Sequence, residues 1–243
     1  MPVTDQCEYD IRCECGERGL AALAVAELAC FAIVDVLSFS TCVTVAVEAG
    51  AEIFPYFWRD ARAQAYAAAH DALLAGAPGS PYSLAVESLS TLTAGTRLVL
   101  PSPNGSTLAY AAAARGTVVA GCLRNRRAVS AFLNERLEHG PIAIIAAGER
   151  WPDGSLRPCL EDWIGAGAII AGLNGSRSPE AESVLASYEA VADRLPQTLT
   201  ACSSGRELIE KGHPSNVSLA AAVDSSNCVP VLRDGRFIAV SSL

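Results

Sequence analysis

Short, continuous apolar runs alternate along the chain with longer segments rich in Ala and Leu. Runs such as CFAIVDVL and PIAIIAAG are typical of strands buried on both faces of a parallel sheet, whereas the Ala- and Leu-rich segments favour helix. The pattern predicts strands at residues 8–15, 30–37, 51–57, 97–101, 118–123 and 141–148, and two final strands around an Asp234-Gly235 hairpin turn.

Helices are predicted between these strands and toward the C-terminus. They cover residues 18–28, 41–49, 59–74, 107–114, 125–138, 179–192, 196–212 and 213–224, a helix that Glu161 and Asp162 open, and a helical turn at 89–93. Strands that alternate with helices and are joined by polar turns indicate an α/β protein, a three-layer α/β/α fold with a mostly parallel, doubly wound sheet. We expect a single domain over residues 1–243, with a smaller C-terminal subdomain from about residue 175 as an option.

Polar residues come at the ends of three predicted strands. Asp35 stands near the end of the second strand, the turn PSPNGST (101–107) follows the fourth, and Gly148-Glu149-Arg150-Trp151 ends the sixth. Ligands of doubly wound folds bind beyond the carboxyl ends of the strands. We therefore expect these three segments to meet in one site.

The turn PSPNGST has two interpretations. It leads from a strand into a helix, whose first N–H groups are unpaired and carry roughly +0.5 of a charge, so it is suited to an anion. Short polar side chains stand beside it at Ser102, Asn104, Ser106 and Thr107. Alternatively, this is an ordinary turn in which Ser or Asn only caps its own helix. The segment Ser38-Phe39-Ser40-Thr41 repeats the arrangement after Asp35.

The carboxylates also have two interpretations each. Burying Asp35 on an apolar strand is costly unless the carboxylate is paired, hydrogen-bonded or bound to a metal, so it is either functional or a structural cap. Glu161 and Asp162 either stabilise the N-terminus of the helix they open or bind Mg²⁺, which prefers carboxylate oxygens and water.

Composition narrows the class of protein. The formal net charge is −8 and no Lys/Arg stripe appears, which argues against a nucleic-acid partner. No apolar run reaches the ~18 residues of a membrane span, and the polar N-terminus does not resemble a signal peptide. The nine cysteines are scattered, as is usual for buried thiols in a reducing cytoplasm. We expect a cytoplasmic protein without a membrane partner, and the sequence is compatible with a homodimer.

Four segments, in this order, resemble the 2-phosphosulfolactate phosphatases of coenzyme M biosynthesis, the ComB-like proteins. VDVLSFST (34–41) is similar to their Asp-Val-Leu-Arg-Ala-Ser-Thr box, and PSPNGST to their Thr-x-Asn-Gly-Thr turn. GERWPDGSLRPCLEDWIGAG (148–167) resembles their Gly-x-x-x-x-Gly…Glu-Asp segment, and residues 204–232 resemble their C-terminal signature. Three departures are Ser38 in place of Arg, Asn216 in place of an acid, and a shorter segment, GAPGSPYSLAVESLST, before the fourth strand.

The resemblance implies a Mg²⁺-dependent phosphatase with an α/β/α fold that hydrolyses a phosphate monoester of a small acidic metabolite. Asp35 is then the nucleophile or a Mg²⁺ ligand, and Glu161 and Asp162 complete the metal site. The groups expected to hold the substrate are Ser40, Thr41, Ser102, Asn104, Gly105, Ser106 and Gly148, with Arg150 or Arg157 on its carboxylate or sulfonate.

Two other classes stay open at this stage. A phosphatase of the haloacid-dehalogenase type also uses an Asp nucleophile, but it expects a second Asp two residues later, where this chain has Leu37. A divergent, non-catalytic or anion-binding relative is the second alternative, because Ser38 stands where the family carries Arg and the segment before the fourth strand is shorter.

Overall fold

The computed structural model describes residues 3–25, 28–57 and 60–240. Its strands are β1 (Ile11–Cys15), β2 (Cys30–Val34), β3 (Glu52–Tyr56), β4 (Leu73–Leu74), β5 (Arg97–Pro101), β6 (Thr117–Gly121), β7 (Ile142–Ala146), β8 (Glu149–Arg150), β9 (Leu156–Arg157), β10 (Val229–Arg233) and β11 (Arg236–Val240). Its α-helices are α1 (Gly16–Leu23), α2 (Phe39–Glu48), α3 (Ala61–Ala69), α4 (Val86–Leu89), α5 (Gly105–Ala113), α6 (Arg126–Arg136), α7 (Leu160–Ile170), α8 (Pro179–Glu189), α9 (Leu195–Ala201), α10 (Ser203–Glu210) and α11 (Pro214–Ala220).

Nine strands form one mostly parallel sheet in the order β1-β7-β2-β6-β10-β11-β3-β5-β4. The strands β1, β7, β2 and β6 form one parallel group, and β3, β5 and β4 form another. The antiparallel hairpin of β10 and β11 joins the two groups, because Val231 pairs with Val119 and Phe237 with Ile53. The predicted α/β class and the C-terminal hairpin are therefore confirmed.

Side chains of β2 show why helices cover both faces of the sheet. Cys30, Ala32 and Val34 pack into a core shared with α6, α7 and α8, whereas Phe31 and Ile33 pack into a second core with α1, α2 and α5. All five side chains are fully buried, as expected of a central strand whose neighbours come from both faces. The three-layer α/β/α arrangement follows from this alternation.

Three predicted helices differ from the structure, and the first of them, predicted at 18–28, ends at Leu23. The helix at 59–74 ends at Ala69, and Leu73 and Leu74 instead pair with β5 at the sheet edge after Asp71 takes a positive φ of 48°. The helix at 196–212 is two helices, because Cys202 is extended with ψ 162° and separates α9 from α10. Predicted helix residues Ala26, Glu27 and Arg59 lie outside the described residues.

The segment from 76 to 95 contributes one short helix, α4, placed earlier than the turn predicted at 89–93. Asn216 of α11 anchors it, because its Oδ1 accepts a hydrogen bond from the backbone N–H of Glu87 at 3.2 Å. The Asn at this position thus ties the shortened segment to the C-terminal helices. In the part of the chain that the structure describes, every helix is too short or too polar to cross a membrane.

Candidate active site

A cavity of about 200 Å³ lies beyond the carboxyl ends of β2, β5 and β7, and we call it the carboxylate cavity. It brings together six residues that the sequence predicts for the site: Asp35, Ser102, Asn104, Gly148, Glu161 and Asp162. The remaining lining residues are Leu37, Ser38, Leu84, Pro103, Glu149, Cys159 and Ser204. The expected meeting of three strand ends in one place is thus realised.

Asp35 lies between the N-termini of two helices. Its Oδ1 accepts a hydrogen bond from the backbone N–H of Phe39, the first residue of α2, at 2.9 Å. Its Oδ2 accepts from the N–H of Gly105, the first residue of α5, at 3.1 Å. A Cβ at position 105 would lie 2.3 Å from the Phe39 ring, so a glycine is required for this approach. Two helix termini therefore favour negative charge at one carboxylate.

The pKa of Asp35 is nevertheless raised to about 7. Burial is the largest cause, because the side chain is 6% exposed and loses its hydration. The nearby carboxylates Glu149 and Glu161 raise the pKa further, and the two backbone hydrogen bonds only partly oppose these effects. A cation in the cavity would act in the opposite direction and favour the ionised form.

Asp162 joins the same strand ends from the first turn of α7. Its Oδ1 accepts from the N–H of Val36 at 2.7 Å, and its Oδ2 accepts from the N–H of Gly148 at 2.8 Å. Gly148 has a φ of +70°, and a Cβ there would lie 2.9 Å from the carbonyl oxygen of Arg157. Burial raises the pKa of Asp162 well above its ordinary value, and Asp35 and Glu161 add to this through charge repulsion.

Glu161 is 3% exposed and lines the same cavity. Its Oε2 accepts a weak hydrogen bond from the Cys202 thiol at 3.5 Å. Within the described ranges, no N–H or O–H group donates a hydrogen bond to its Oε1. One oxygen of this buried carboxylate is therefore available for a ligand in the cavity.

The cavity as a whole is suited to a cation. Four carboxylates line it, from Asp35, Glu149, Glu161 and Asp162, and no Lys or Arg is among its lining residues in the ranges that the structure covers. Carboxylate oxygens are the ligands that Mg²⁺ prefers, so the residues present fit the predicted ion. The most compact donor group is Cys159 Sγ with one oxygen each of Glu161 and Asp162, all within 4.8 Å of one another, and Asp35 is not part of it.

Glu149 is a cavity residue that sequence reasoning did not select. Its Oε1 accepts hydrogen bonds from Asn104 Nδ2 at 2.7 Å and from the backbone N–H of Arg150 at 2.9 Å. The sequence feature that could have identified it is its position directly after Gly148, just beyond a buried strand. Cys159 and Ser204 were also missed, because nothing in their local pattern distinguishes them from other buried small residues.

A second cavity of about 380 Å³ lies next to the first, and we call it the arginine cavity. Asn104 and Glu149 line both cavities, so their hydrogen bond stands in the shared wall. The other lining residues are Gly16, Glu17, Arg18, Leu108, Ala147, Arg150, Gly154, Ser155 and Leu156. The Arg150 guanidinium pairs with Glu17 and donates to the carbonyl of Gly154 at 3.3 Å. The arginine cavity thus offers the basic groups that the carboxylate cavity lacks.

Three predicted substrate-binding hydroxyls are placed elsewhere. They donate to backbone carbonyls, Ser40 to Ile33 at 2.7 Å, Thr41 to Val36 at 2.8 Å and Ser106 to Leu100 at 3.0 Å. All three are fully buried and line neither cavity. These hydrogen bonds stabilise the backbone of the strand-to-helix turns. The three hydroxyls therefore affect the site only indirectly, by fixing the backbone that positions it.

Arg157 also lies outside the lining of both cavities. Its Nη2 is 3.4 Å from Ser204 Oγ and 3.8 Å from Glu207 Oε2, and its guanidinium lies over the Trp151 ring at 5.7 Å. Because Ser204 lines the carboxylate cavity, Arg157 reaches that cavity through one intervening side chain.

The chain is similar to known proteins over most of its length. The family model described as 2-phosphosulpholactate phosphatase matches residues 20–235, which include both cavities apart from Gly16, Glu17 and Arg18. A protein of Thermus thermophilus named probable 2-phosphosulfolactate phosphatase is 31% identical over 218 residues, covering 83% of this chain and 86% of the relative. One of Thermosynechococcus vestitus with the same name is 28% identical over 224 residues, covering 83% and 88%. The resemblance noted in the sequence is confirmed, and this chain belongs to the 2-phosphosulpholactate phosphatase family.

Proposed function

We propose that this protein is a phosphoric monoester hydrolase that acts on 2-phosphosulfolactate, as the names of its relatives say of them. The observation that carries the proposal is the pair of adjoining cavities, one lined by four carboxylates and the other containing Arg18 and Arg150. In a phosphate ester on a small acidic skeleton, the phosphoryl end needs a bound cation and the acidic end needs a basic side chain. The carboxylate cavity can hold the cation, and the adjoining arginine cavity contains the basic side chains.

Glu161 and Asp162 would hold Mg²⁺ at the phosphoryl end, beside Asp35 in the same cavity. When bound, the cation neutralises the charge on phosphoryl oxygens, which phosphoryl transfer requires more than unusual covalent chemistry. The chain supplies hydrogen-bond donors to the same oxygens from Ser38, Ser102 and the Asn104 amide, all of which line the carboxylate cavity. These residues position the phosphoryl group over the ends of the strands.

Asp35 is the residue to which we assign attack on phosphorus, with metal ligation as the second option. One of its oxygens forms a bond to phosphorus, the bond from phosphorus to the ester oxygen breaks, and the released alkoxide takes a proton from water. A second water then attacks the phosphorus and gives a proton to the hydroxide formed in the first step, the bond from phosphorus to Asp35 breaks, and phosphate leaves. The two helix N-termini that bond to Asp35 stabilise the carboxylate on its release.

Arg150 is the residue that we assign to the carboxylate or sulfonate of the substrate. An arginine guanidinium pairs with such oxyanions through two parallel hydrogen bonds, and Arg150 already makes an ion pair with Glu17 in the arginine cavity. The substrate would take over part of that interaction. The hydrogen bond between Asn104 and Glu149 marks the point at which the two ends of the substrate meet.

The proposal is tested by phosphate release from 2-phosphosulfolactate, from phospholactate without the sulfonate, and from an aryl phosphate, each with Mg²⁺ and with excess chelator. We expect turnover of the first substrate only with the metal, and loss of most activity in Asp162→Asn. Undiminished activity of Asp162→Asn in chelator would remove the metal from the mechanism. Binding of phosphate without turnover of any ester would instead favour the anion-binding alternative.

A further inference from the structure

The most compact group of metal-binding atoms in the described residues contains a thiol. Cys159 Sγ and one oxygen each of Glu161 and Asp162 lie within 4.8 Å of one another. The three residues are only 5%, 3% and 3% exposed, and all of them line the carboxylate cavity. A thiol at this place is unexpected for a Mg²⁺ site, because Mg²⁺ selects oxygen ligands.

The local sequence explains how the three donors converge. Cys159 is the N-cap residue of α7, with extended backbone angles of φ −109° and ψ 129°, and Glu161 and Asp162 follow in the first turn. Its Sγ donates a hydrogen bond to the carbonyl of Arg157 at 3.5 Å and accepts one from Ser204 Oγ at 3.8 Å. A thiol is a weak donor and a weak acceptor, so a metal can displace both contacts at little cost.

Glu161 provides an independent indication of a ligand. Its carboxylate is buried and lines the cavity, yet within the described ranges its only hydrogen-bond donor is the Cys202 thiol at 3.5 Å, and this bonds to Oε2. Oε1 is therefore available as a ligand for a divalent cation in the cavity.

We propose that Cys159, Glu161 and Asp162 form a site for Zn²⁺ or another thiophilic divalent cation, and that Cys159 sets its preference over Mg²⁺. Thiolate and carboxylate ligands together suit Zn²⁺, which takes four ligands in a tetrahedral arrangement and leaves one position here for water. On binding, the thiol releases its proton to the solvent and the thiolate sulfur bonds to the metal. Binding itself does not depend on the proposed function. Its effect on activity does rest on the proposed function, because a cation bound to Glu161 and Asp162 would exclude the Mg²⁺ that hydrolysis requires.

Co²⁺ is the probe that reports on the sulfur directly, because a thiolate bound to Co²⁺ gives a charge-transfer band in the near ultraviolet. Reduced, metal-free protein is titrated with Co²⁺, and Zn²⁺ is then added to displace it. We expect the band in the wild-type protein and in Cys228→Ser, and its loss in Cys159→Ser. Cys228 is a suitable control because it is a half-buried thiol near another carboxylate, Glu48.

The affinities provide the second measurement. We expect Cys159→Ser to weaken Zn²⁺ binding by at least about tenfold while Mg²⁺ binding changes less than about threefold. Absence of the band in the folded wild-type protein would overturn the proposal, as would a band that survives in Cys159→Ser and disappears in Cys202→Ser. Mg²⁺-dependent hydrolysis without the band would refute only this inference. A normal band in a protein that hydrolyses no phosphate ester would refute only the proposed function.

Discussion

Asp35 Oδ2 accepts a hydrogen bond from the backbone N–H of Gly105 at 3.1 Å, although 70 positions separate the two residues in the chain. The bond connects the turn after β2 with the turn after β5, strands that belong to different parallel groups of the sheet. The carboxylate therefore serves two purposes. It holds two helix N-termini together, and it stands in the cavity proposed for phosphoryl transfer.

Asp35→Asn separates these purposes. We expect it to fold and to lower hydrolysis by at least about a thousandfold, because an amide neither attacks phosphorus nor binds a cation as a carboxylate does. The amide NH₂ would face one backbone N–H and lose that hydrogen bond, a cost of about 1 kcal/mol that the removal of a buried charge offsets. The measurements are turnover and thermal unfolding.

Asp5→Asn is the matched control, since Asp5 is also a buried aspartate but lies outside both cavities. Wild-type turnover in Asp35→Asn would show that this carboxylate is only a cap. Phosphate transferred from a labelled substrate and found on the peptide that contains Asp35 after acid quenching would identify the residue as the nucleophile. Absence of that adduct, together with a loss of metal affinity in Asp35→Asn, would make it a metal ligand.

The stability of the metal-free protein should fall as the pH rises from about 4 to about 7. The pKa of Asp35 is raised to about 7 in the folded protein, so between the unfolded and folded pKa values the folded state binds more protons. The stabilisation is complete below the unfolded pKa and is lost as the pH rises through the folded pKa. Asp162, whose pKa is also raised, acts in the same direction.

Melting temperatures of the wild-type protein in chelator, compared with those of Asp35→Asn at each pH, measure this effect. We expect the pH-dependent change in the free energy of unfolding to amount to a few kcal/mol at most. It should shrink when Mg²⁺ is added at pH 7.5, because the cation favours the ionised carboxylates. Parallel pH profiles for the two proteins would mean that Asp35 is ionised throughout the range.

Asn104→Ala and Ser106→Ala should have different effects. The Asn104 side chain lines both cavities and bonds to Glu149, so its loss should weaken phosphate or vanadate binding by about tenfold with little change in stability. The Ser106 hydroxyl is fully buried on the carbonyl of Leu100, so its loss should cost about 1 kcal/mol of stability and leave binding nearly unchanged. Calorimetric binding and thermal unfolding of both variants distinguish the two effects. Equal losses of affinity would contradict the assignment of Asn104 to the site.

Arg150→Ala and Arg157→Ala decide which arginine holds the acidic end of the substrate. Arg150 lies in the arginine cavity, whereas Arg157 is positioned between Ser204, Glu207 and Trp151. We expect Arg150→Ala to raise KM for 2-phosphosulfolactate by about ten- to a hundredfold and to leave an aryl phosphate unaffected, because only the first substrate carries the extra anions. Arg157→Ala should have the smaller effect on KM. The reverse order would move the acidic end of the substrate to the side of α10.

The sequence by itself determined the order of strands and helices and the three strand ends that carry polar residues. Apolar runs such as 30–34 have no solvent-facing positions, so only a central strand of a covered sheet accommodates them. Parallel neighbours such as β2 and β7 end at the same edge of a sheet, which is why Asp35 and Gly148 could be placed together beforehand. The group of β3, β5 and β4 runs opposite to β2, because three antiparallel pairings lie between them, so strand direction alone did not place Asn104 beside Asp35. Glu161 and Asp162 were found for a similar reason, since they follow the last of these ends.

Only the tertiary structure decided what each polar group does in and around the carboxylate cavity. The hydroxyls of Ser40, Thr41 and Ser106 bond to carbonyls within their own turns, a choice that depends on the exact path of the backbone. The hairpin of β10 and β11 occupies the middle of the sheet because long-range pairing with β6 and β3, absent from any local pattern, holds it there. Cys159 became a candidate ligand only when α7 brought its sulfur within 4.8 Å of two carboxylates, since local sequence reports residue type and spacing but not the distances between side chains.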